Sequence, residues 1–268
     1  MSAAVSAAPD TDADAPPPAP PLGLPRLHLQ VTDSTNERAR DLAIAGAPHG
    51  TLVTAAEQSA GRGRQGRRWS APAGSSILMS LVLREPPPLL PLMAAVAVCD
   101  VVGEQAQIKW PNDIVVPLAD EQAQAAAPGL AKLAGILVEG RPQESWAVLG
   151  IGVNVAVRLE DLPEELRPDG FGGPAVGLPA ATMGLQIDDV EPTLALLLSA
   201  LERGLADSAT STLDAWRARD ALRGREIVWN GGRGRADGVD GEGRLVVALD
   251  GGGHTALGSG EVHLETIG

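Results

Sequence analysis

The pattern of apolar residues changes at about residue 222, and this change limits the folds open to the chain. Before it, short runs typical of strands alternate with longer runs at helical spacing. After it, five short strand-like runs are separated by glycine-rich turns. The sequence therefore predicts an α/β (α+β) domain over 25–221, with a mixed sheet flanked by helices, and a small β-barrel over 222–268. Residues 1–24, rich in Ala, Pro and Asp, are predicted to be a disordered tail.

The spacing of apolar residues also predicts the individual elements. In the larger domain it predicts strands at 51–57, 77–83, 107–110, 133–139 and 145–155, and helices at 89–102, 192–205 and 212–222. In the C-terminal part it predicts strands at 227–229, 234–239, 244–249, 255–257 and 261–264. The Ala- and Gln-rich residues 118–129 are predicted to form a hairpin insertion or a mobile loop.

Lysine occurs only twice, at Lys109 and Lys132, in a chain with 21 Lys and Arg residues. A compact ammonium group and a planar guanidinium group are not interchangeable where a point charge must meet a small anion. A loop rich in Arg and Gly, residues 61–69, precedes both lysines. The net charge of −13 argues against a protein that covers nucleic acid with a basic surface. The local basic cluster therefore predicts a focused anion site, with phosphate as the favoured anion.

Other composition features exclude several classes of site. Cys99 is the single cysteine, which rules out an intrachain disulfide, and its apolar neighbours predict a small buried side chain. The four histidines do not have metal-ligand spacing. The sequence contains no apolar stretch long enough to span a bilayer and no signal-peptide pattern at its start, so a cytoplasmic location is expected.

The loop of residues 61–69 carries Arg62, Arg64 and Arg67 between glycines. Glycines let the backbone approach a ligand closely, and forked guanidinium donors suit a phosphate or a carboxylate. A solvated basic loop and an RNA-binding Arg/Gly segment are the alternatives. The single copy, the acidic remainder of the chain and the flanking strands weaken the RNA interpretation.

Three short segments allow both a structural and a functional interpretation. Residues 34–37 have the spacing of a capping box, in which Ser34 and Glu37 begin a helix, or they bind a polar head group at that helix terminus. Residues 109–113 form a turn in which Asp113 orients Lys109 or helps to hold Mg²⁺ with substrate phosphates. Residues 150–154 mark either a bulge with a turn asparagine or the close approach of a ligand.

Taken in order, these segments resemble the biotin protein ligases, over roughly residues 27–266. The resemblance rests on residues 33–36, Gln58, the loop 61–69, Lys109–Asp113, residues 132–139 and residues 150–154. It also includes residues 224–262, which are similar to the small SH3-like barrel of that family. Either the Arg/Gly loop or the Lys-Trp-Pro-Asn-Asp segment would be weak alone, but the pair is specific.

The resemblance implies roles for individual residues. It implies that biotin is bound by Ser34, Thr35, Asn36, Gln58, Gly61, Arg62, Gly63, Arg64, Lys132, Gly135 and Gly150. It implies that the nucleotide is bound by Arg62, Arg64, Arg67, Trp69, Lys109, Asn112 and Asn154, with Asp113 as a Mg²⁺ ligand. The catalytic residues would be Lys132, Arg64 and Lys109.

The resemblance further implies that ATP and biotin are the substrates, with Mg²⁺, and that a biotin carboxyl carrier protein is the acceptor. Some members carry an N-terminal DNA-binding domain, but the residues before the first strand are too few for one, so DNA binding is not expected. A monomer or a homodimer would both be consistent with the sequence. A lipoate or octanoate ligase is the nearest alternative, and it would lack both the paired Arg/Gly loop and the Trp-Pro-Asn-Asp turn.

Overall fold

A seven-stranded mixed sheet forms the centre of the larger domain. The computed structural model describes residues 21–118, 129–141, 144–168, 178–258, 260 and 262–264. The strands are β1 (Arg26–Thr32), β2 (Leu52–Gln58), β3 (Ser76–Arg84), β4 (Gln107–Lys109), β5 (Asp113–Pro117), β6 (Leu130–Arg141) and β7 (Trp146–Asn154). Their order is β1-β2-β3-β7-β6-β5-β4. Only the β1–β2 pair is parallel among these described pairs.

Helices cover both faces of this sheet. They are α1 (Thr35–Ile44), α2 (Leu90–Val102), α3 (Val190–Ala206) and α4 (Ala209–Arg217). Because successive side chains of a strand point to opposite faces, Val82 packs with α1 whereas Leu81 and Leu83 join the main core on the other face. The main core also contains most of α2, which is apolar on nearly all sides and lies between the sheet and α3.

The C-terminal part is a five-stranded antiparallel sheet that packs on the larger domain. Its strands are β8 (Glu226–Trp229), β9 (Gly232–Val239), β10 (Leu245–Ala248), β11 (His254–Leu257) and β12 (Val262–Leu264), in the order β11-β10-β9-β8-β12. The indole of Trp110 donates to the Gly243 carbonyl at 3.1 Å. Ile227 and Leu245 belong to the same hydrophobic cluster as α2. The predicted fold class and all ten predicted strands are therefore confirmed, while closure of the small sheet into a barrel stays a prediction.

The structure corrects several boundaries. The predicted helix 212–222 begins at Ala209 and ends at Arg217, and the predicted strand 133–139 extends over Leu130–Arg141. β5 is absent from the predicted strands, and the predicted turn 109–113 overlaps it only at its first residue, Asp113. Of the predicted tail, residues 1–20 lie outside the described ranges, but Leu22 is buried and donates its N–H to Glu202 at 2.7 Å, so the ordered chain begins before residue 25. The division at residue 221 stays a prediction.

Two further predictions concern local structure. The prediction of a capping box at residues 34–37 is wrong, because Ser34 makes no side-chain cap hydrogen bond. The Glu37 carboxylate pairs with Arg40 and Arg62 instead. The hairpin interpretation of residues 118–129 is confirmed at its ends, since β5 and β6 pair through Pro117 and Leu130. Residues 119–128 lie outside the described ranges. Cys99 is buried as predicted, and burial raises the pKa of its thiol to about 12.

Candidate active site

One cavity of about 210 Å³ collects nearly all of the predicted site residues. Of the residues named in the sequence analysis as binding, catalytic or metal-ligating, only Gly61 is not part of its lining. Gly61 instead supports the loop, because a side chain there would place Cβ 2.3 Å from the Trp69 carbonyl oxygen. The cavity lies beside β3, β6 and β7 and is bordered by the start of α1, the loop 61–69 and the end of the C-terminal sheet.

Polar side chains line one end of the cavity, which we call the polar end and which comprises Ser34, Thr35, Asn36 and Gln58. The fully buried Ser80 lies behind them. The Gln58 carbonyl oxygen accepts from the Thr35 N–H at 2.8 Å and from the Thr35 hydroxyl at 3.2 Å. The Ser80 hydroxyl lies 2.8 Å from the Thr35 hydroxyl and 2.6 Å from the Asn36 carbonyl oxygen. Since the Gln58 oxygen is occupied, its amide nitrogen is the group that can donate to a ligand.

Asn36 connects the polar end to β6 and requires a glycine on β7. Its Nδ2 donates to Glu139 Oε2 at 2.8 Å. A Cβ atom at Gly150 would lie 2.0 Å from Asn36 Oδ1. Gly150 is therefore needed to make room for Asn36, which is 4% exposed.

The loop of residues 61–69 forms a small irregular hairpin at the mouth of the cavity. The Gly63 N–H donates to the Arg67 carbonyl at 2.7 Å, and the Trp69 N–H donates to the Gly61 carbonyl at 3.0 Å. Gln65 has a φ of 55°, in the left-handed region that non-glycine residues seldom adopt. The guanidinium of Arg64 reaches the Gly260 carbonyl at 3.4 Å, so this loop contacts the C-terminal part of the chain.

Trp69 covers a floor made of two glycines. A Cβ atom at Gly152 would lie 2.7 Å from the indole ring, and one at Gly135 would lie 3.1 Å from it. The Lys132 ammonium lies 5.6 Å from the ring centroid, within cation–π distance. The indole N–H of Trp69 is buried without a hydrogen-bond partner among the described residues. The glycines in β6 and β7 therefore give an aromatic ring room to lie flat against the sheet.

Two lysines and an aspartate form a charged cluster beside Trp69. Lys132 Nζ lies 2.6 Å from Asp113 Oδ1, and Lys109 Nζ donates to the Val262 carbonyl at 2.9 Å. Burial alone would raise the pKa of Asp113, but the charges of Lys132, Lys109 and Arg67 outweigh it and hold that pKa below its ordinary value. Asp113 is therefore ionised at neutral pH and pairs with Lys132 in the cavity lining.

The charge of the lining is opposite in sign to the charge of the whole chain. Among the described residues, the lining contains one carboxylate, Asp113, and six Lys or Arg residues, which gives a formal charge of +5 in a chain of net charge −13. The six are Arg62, Arg64, Arg67, Arg68, Lys109 and Lys132. A concave positive site in an acidic protein concentrates anionic ligands by its local field.

Two predicted nucleotide-binding asparagines use their amide donors within the protein. Asn112 Nδ2 donates to the Ile136 carbonyl at 2.9 Å, and Asn154 Nδ2 donates to the Ala181 carbonyl at 2.9 Å. In this structure they hold the turn after β4 and the end of β7 in place. The wall beside them is apolar and consists of Leu162, Leu166, Leu178, Ala180 and Leu264.

The described residues do not supply a metal site built by the protein alone. They contain no group of three His, Cys, Asp or Glu side chains that could hold a metal ion. Asp113 already accepts from Lys132, which would have to move before the carboxylate could bind a cation. A divalent ion would therefore depend on oxygen ligands from a substrate.

Sequence reasoning missed the residues that connect the site to its surroundings. Ser80, which links Thr35 to Asn36, lies between two apolar runs of β3, and that polar interruption was the available signal. Glu139 was part of a motif but had no assigned role. His263 and Gly260 line the cavity from the C-terminal part, and no local pattern indicated this.

Comparisons with known proteins agree with this geometry. The profile of the Biotin/lipoate A/B protein ligase family matches residues 28–155. A biotin–[acetyl-CoA-carboxylase] ligase of Paracoccus denitrificans is 34% identical over 241 residues, which is 82% of this chain and 92% of the relative. A bifunctional ligase/repressor BirA of Bacillus spizizenii is 39% identical over 158 residues, which is 54% of this chain. That match spans only 45% of the relative's length.

A solved structure supports the fold over the same range. A biotin protein ligase of Aquifex aeolicus in complex with biotin and ATP superimposes with a TM-score of 0.68 at 23% sequence identity. The match covers 90% of this chain and 98% of that one, so it includes the C-terminal sheet as well as the larger domain. In the part of the chain that the structure describes, none of the helices has the length and apolar character needed to cross a bilayer.

Proposed function

Because this chain belongs to the biotin protein ligase family, we propose that it attaches biotin to a lysine of a biotin carboxyl carrier protein. The reaction has two steps. Biotin and ATP first form biotinyl-5′-AMP and pyrophosphate, and the biotinyl group then moves to the acceptor lysine. The carrier domain of acetyl-CoA carboxylase is the proposed acceptor, in keeping with the name of the Paracoccus relative.

The observation that carries this proposal is the meeting of a polar end and a cationic cluster in one cavity. The hydroxyl and amide groups of Ser34, Thr35 and Gln58 suit the ureido ring of biotin, which needs paired hydrogen bonds. The linear chain of lipoate or octanoate would leave the amide nitrogen of Gln58 without an acceptor, which weakens the alternative substrate class.

The first step requires two anions to meet. A biotin carboxylate oxygen attacks the α-phosphorus of ATP, the bond to the bridging oxygen breaks, and pyrophosphate leaves. The carboxylate is ionised at pH 7, so no general base is needed. We assign to Lys132 and Arg64 the stabilisation of charge on the carboxylate and the α-phosphate, and to Lys109 the nucleotide side. Both lysines line the same cavity, although 23 positions separate them in the sequence.

The second step is acyl transfer. The neutral amine of the acceptor lysine attacks the carbonyl carbon of the mixed anhydride, and AMP leaves with the electron pair of the broken C–O bond. Water must be kept away from the intermediate until the acceptor arrives. The loop 61–69 borders the cavity mouth and is proposed to serve as the cover.

Several further assignments belong to this proposal. Mg²⁺ is assigned to the phosphates of ATP as part of the substrate, and Asp113 is the carboxylate of the described lining that could add a ligand. The reaction is placed in the cytoplasm, where ATP is plentiful. A monomer and a homodimer both remain consistent with the proposal, and a sedimentation measurement would distinguish them.

The direct test is incubation of the protein with ATP, Mg²⁺, biotin and a purified carrier domain, followed by mass spectrometry. We expect the acceptor to gain one biotinyl group on a single lysine, and we expect no product when lipoate replaces biotin. The Lys132→Ala variant serves as the matched control for trace contaminating ligase. Absence of biotin from the acceptor, or equal use of lipoate, would overturn the proposal.

A further inference from the structure

Glu37 on α1 and Glu139 on β6 both contact the guanidinium of Arg62 in the loop 61–69. Arg62 Nη1 pairs with Glu37 Oε1, and Arg62 Nη2 lies 3.3 Å from Glu139 Oε1. We propose that these two glutamates are positioning residues that hold the loop over the bound biotin. This inference rests on the proposed function, because it concerns how long the ligand stays in that cavity.

The two carboxylates are well placed to anchor the loop. They project from two different regular elements, α1 and β6, whereas the loop itself contains glycines at 61, 63 and 66 that give it little stiffness of its own. Side chains of Arg62, Glu37 and Glu139 are 40%, 33% and 26% exposed. Partly exposed ion pairs contribute little to the free energy of unfolding of the whole protein. We therefore expect these two pairs to affect the position of the loop and not the stability of the fold.

Glu139 also connects Arg62 to the polar end of the cavity. One of its oxygens faces Arg62, and the other accepts from Asn36 Nδ2 at 2.8 Å. Asn36 in turn accepts from Ser80, which contacts Thr35. This continuous set of hydrogen bonds runs from the proposed ring site to the loop. Glu139 therefore ties the position of the loop to groups that contact the ligand.

Glu37 contacts Arg62 separately from the hydrogen bonds that connect Glu139 to the polar end. It lies in the first turn of α1, where its spacing from Ser34 predicts a capping role, but its carboxylate is directed to Arg62 and to Arg40, the latter at 3.0 Å. Arg40 can keep Glu37 in place when the loop opens, because the two residues belong to the same helix. The carboxylate is thus present in both states of the loop.

The test measures the dissociation rate of biotin, and of biotinyl-5′-AMP formed in the site, for the wild type, Glu37→Gln, Glu139→Gln and the double variant. We expect release to be about three- to tenfold faster in the double variant, the range that two partly exposed ion pairs can supply. The thermal unfolding midpoint should stay close to that of the wild type. Glu57→Gln, which removes an exposed carboxylate from β2, is the matched control and should release ligand at the wild-type rate.

A double-mutant cycle separates positioning from a general effect of charge. In an Arg62→Gln background the glutamate substitutions should cause no further acceleration of ligand release. With Arg62 present, Glu139→Asp keeps the carboxylate and should release ligand more slowly than Glu139→Gln. Unchanged release in the double variant, or the same acceleration with and without Arg62, would overturn the inference. If the wild type itself binds no biotin, the proposed function fails instead, so the two failures are distinguishable.

Discussion

The ammonium of Lys132 lies 2.6 Å from the carboxylate of Asp113, although the two residues belong to different sequence motifs. Asp113 begins β5, and Lys132 lies near the start of β6, which pairs with it. The bulge between Ile114 and Val115 adjusts the register of this pair. The ion pair therefore holds a lysine in the cavity lining, beside Trp69, before any ligand is bound.

Replacing Lys132 should remove the first chemical step. Lys132→Ala is expected to abolish biotin-dependent exchange of pyrophosphate into ATP, because it removes the ammonium group that is assigned to the biotin carboxylate and the α-phosphate. Lys132→Arg keeps the charge but presents a planar fork, so it should restore little of the activity. Near-normal exchange in the alanine variant would exclude Lys132 from the mechanism.

Asp113→Asn should slow the same step by misplacing Lys132. Loss of a charge-assisted hydrogen bond costs about 1.5–3 kcal/mol, which corresponds to a roughly tenfold to hundredfold lower exchange rate. The pKa of Asp113 is lowered in the folded protein. The stabilisation from this carboxylate is therefore present above the ordinary pKa of 3.8 and is lost as the pH falls below it. When the free energy of unfolding is measured against pH, the Asp113→Asn variant should lack this loss of stability at acid pH. The same dependence in the variant and the wild type would contradict the prediction.

Gly150→Ala should disturb the polar end without touching the cationic cluster. The added methyl group would lie 2.0 Å from Asn36 Oδ1, so Asn36 must move and its bonds to Ser80 and Glu139 weaken. We expect a loss of about 1–3 kcal/mol in the free energy of unfolding and weaker biotin binding, measured by denaturation and calorimetry. Gly241→Ala, where no atom lies within 4 Å of the new Cβ, should leave both unchanged.

Asp220→Asn should stabilise the protein at neutral pH. Burial raises the pKa of Asp220, and its Oδ2 is buried without a hydrogen-bond partner among the described residues. A carboxyl whose pKa is higher in the folded state makes the protein less stable as the pH rises above 3.8. The amide should therefore add about 1 kcal/mol at pH 7 and nothing well below pH 3.8, measured by urea unfolding at both values. An equal change in the free energy of unfolding at both pH values would contradict a raised pKa of Asp220 as the cause.

Arg64→Ala should let the intermediate escape. The Arg64 guanidinium contacts the Gly260 carbonyl, so the loop loses a contact with the C-terminal part as well as a charge beside the phosphate. We expect faster appearance of free biotinyl-5′-AMP in solution, measured by chromatography of the reaction without acceptor. The loop should also be cleaved by trypsin more slowly when biotin and ATP are present, and equal cleavage in both conditions would argue against a cover.

Local patterns predicted most of the strands and helices, and the family resemblance named 16 of the 33 residues that line the cavity. Strand and helix periods predicted β3, β7 and α2 within one residue at each end. They failed where a tertiary contact competes with a local one. The Ser34–Glu37 spacing favours a capping box, but the Arg62 guanidinium attracts the glutamate more strongly than the helix terminus does.

The amino-acid sequence determined the fold class through its periodicity and the basic character of the site through its rare residue types, because both are properties of single segments. Its resemblance to the biotin protein ligases named the residues that would meet there. Only the tertiary structure decided which partner each charged group takes. Asp113 faces Lys132, Asn36 joins Glu139, and the guanidinium of Arg64 reaches Gly260. These pairings span up to 196 positions, and they depend on strand register and packing of the C-terminal sheet, which no local spacing encodes.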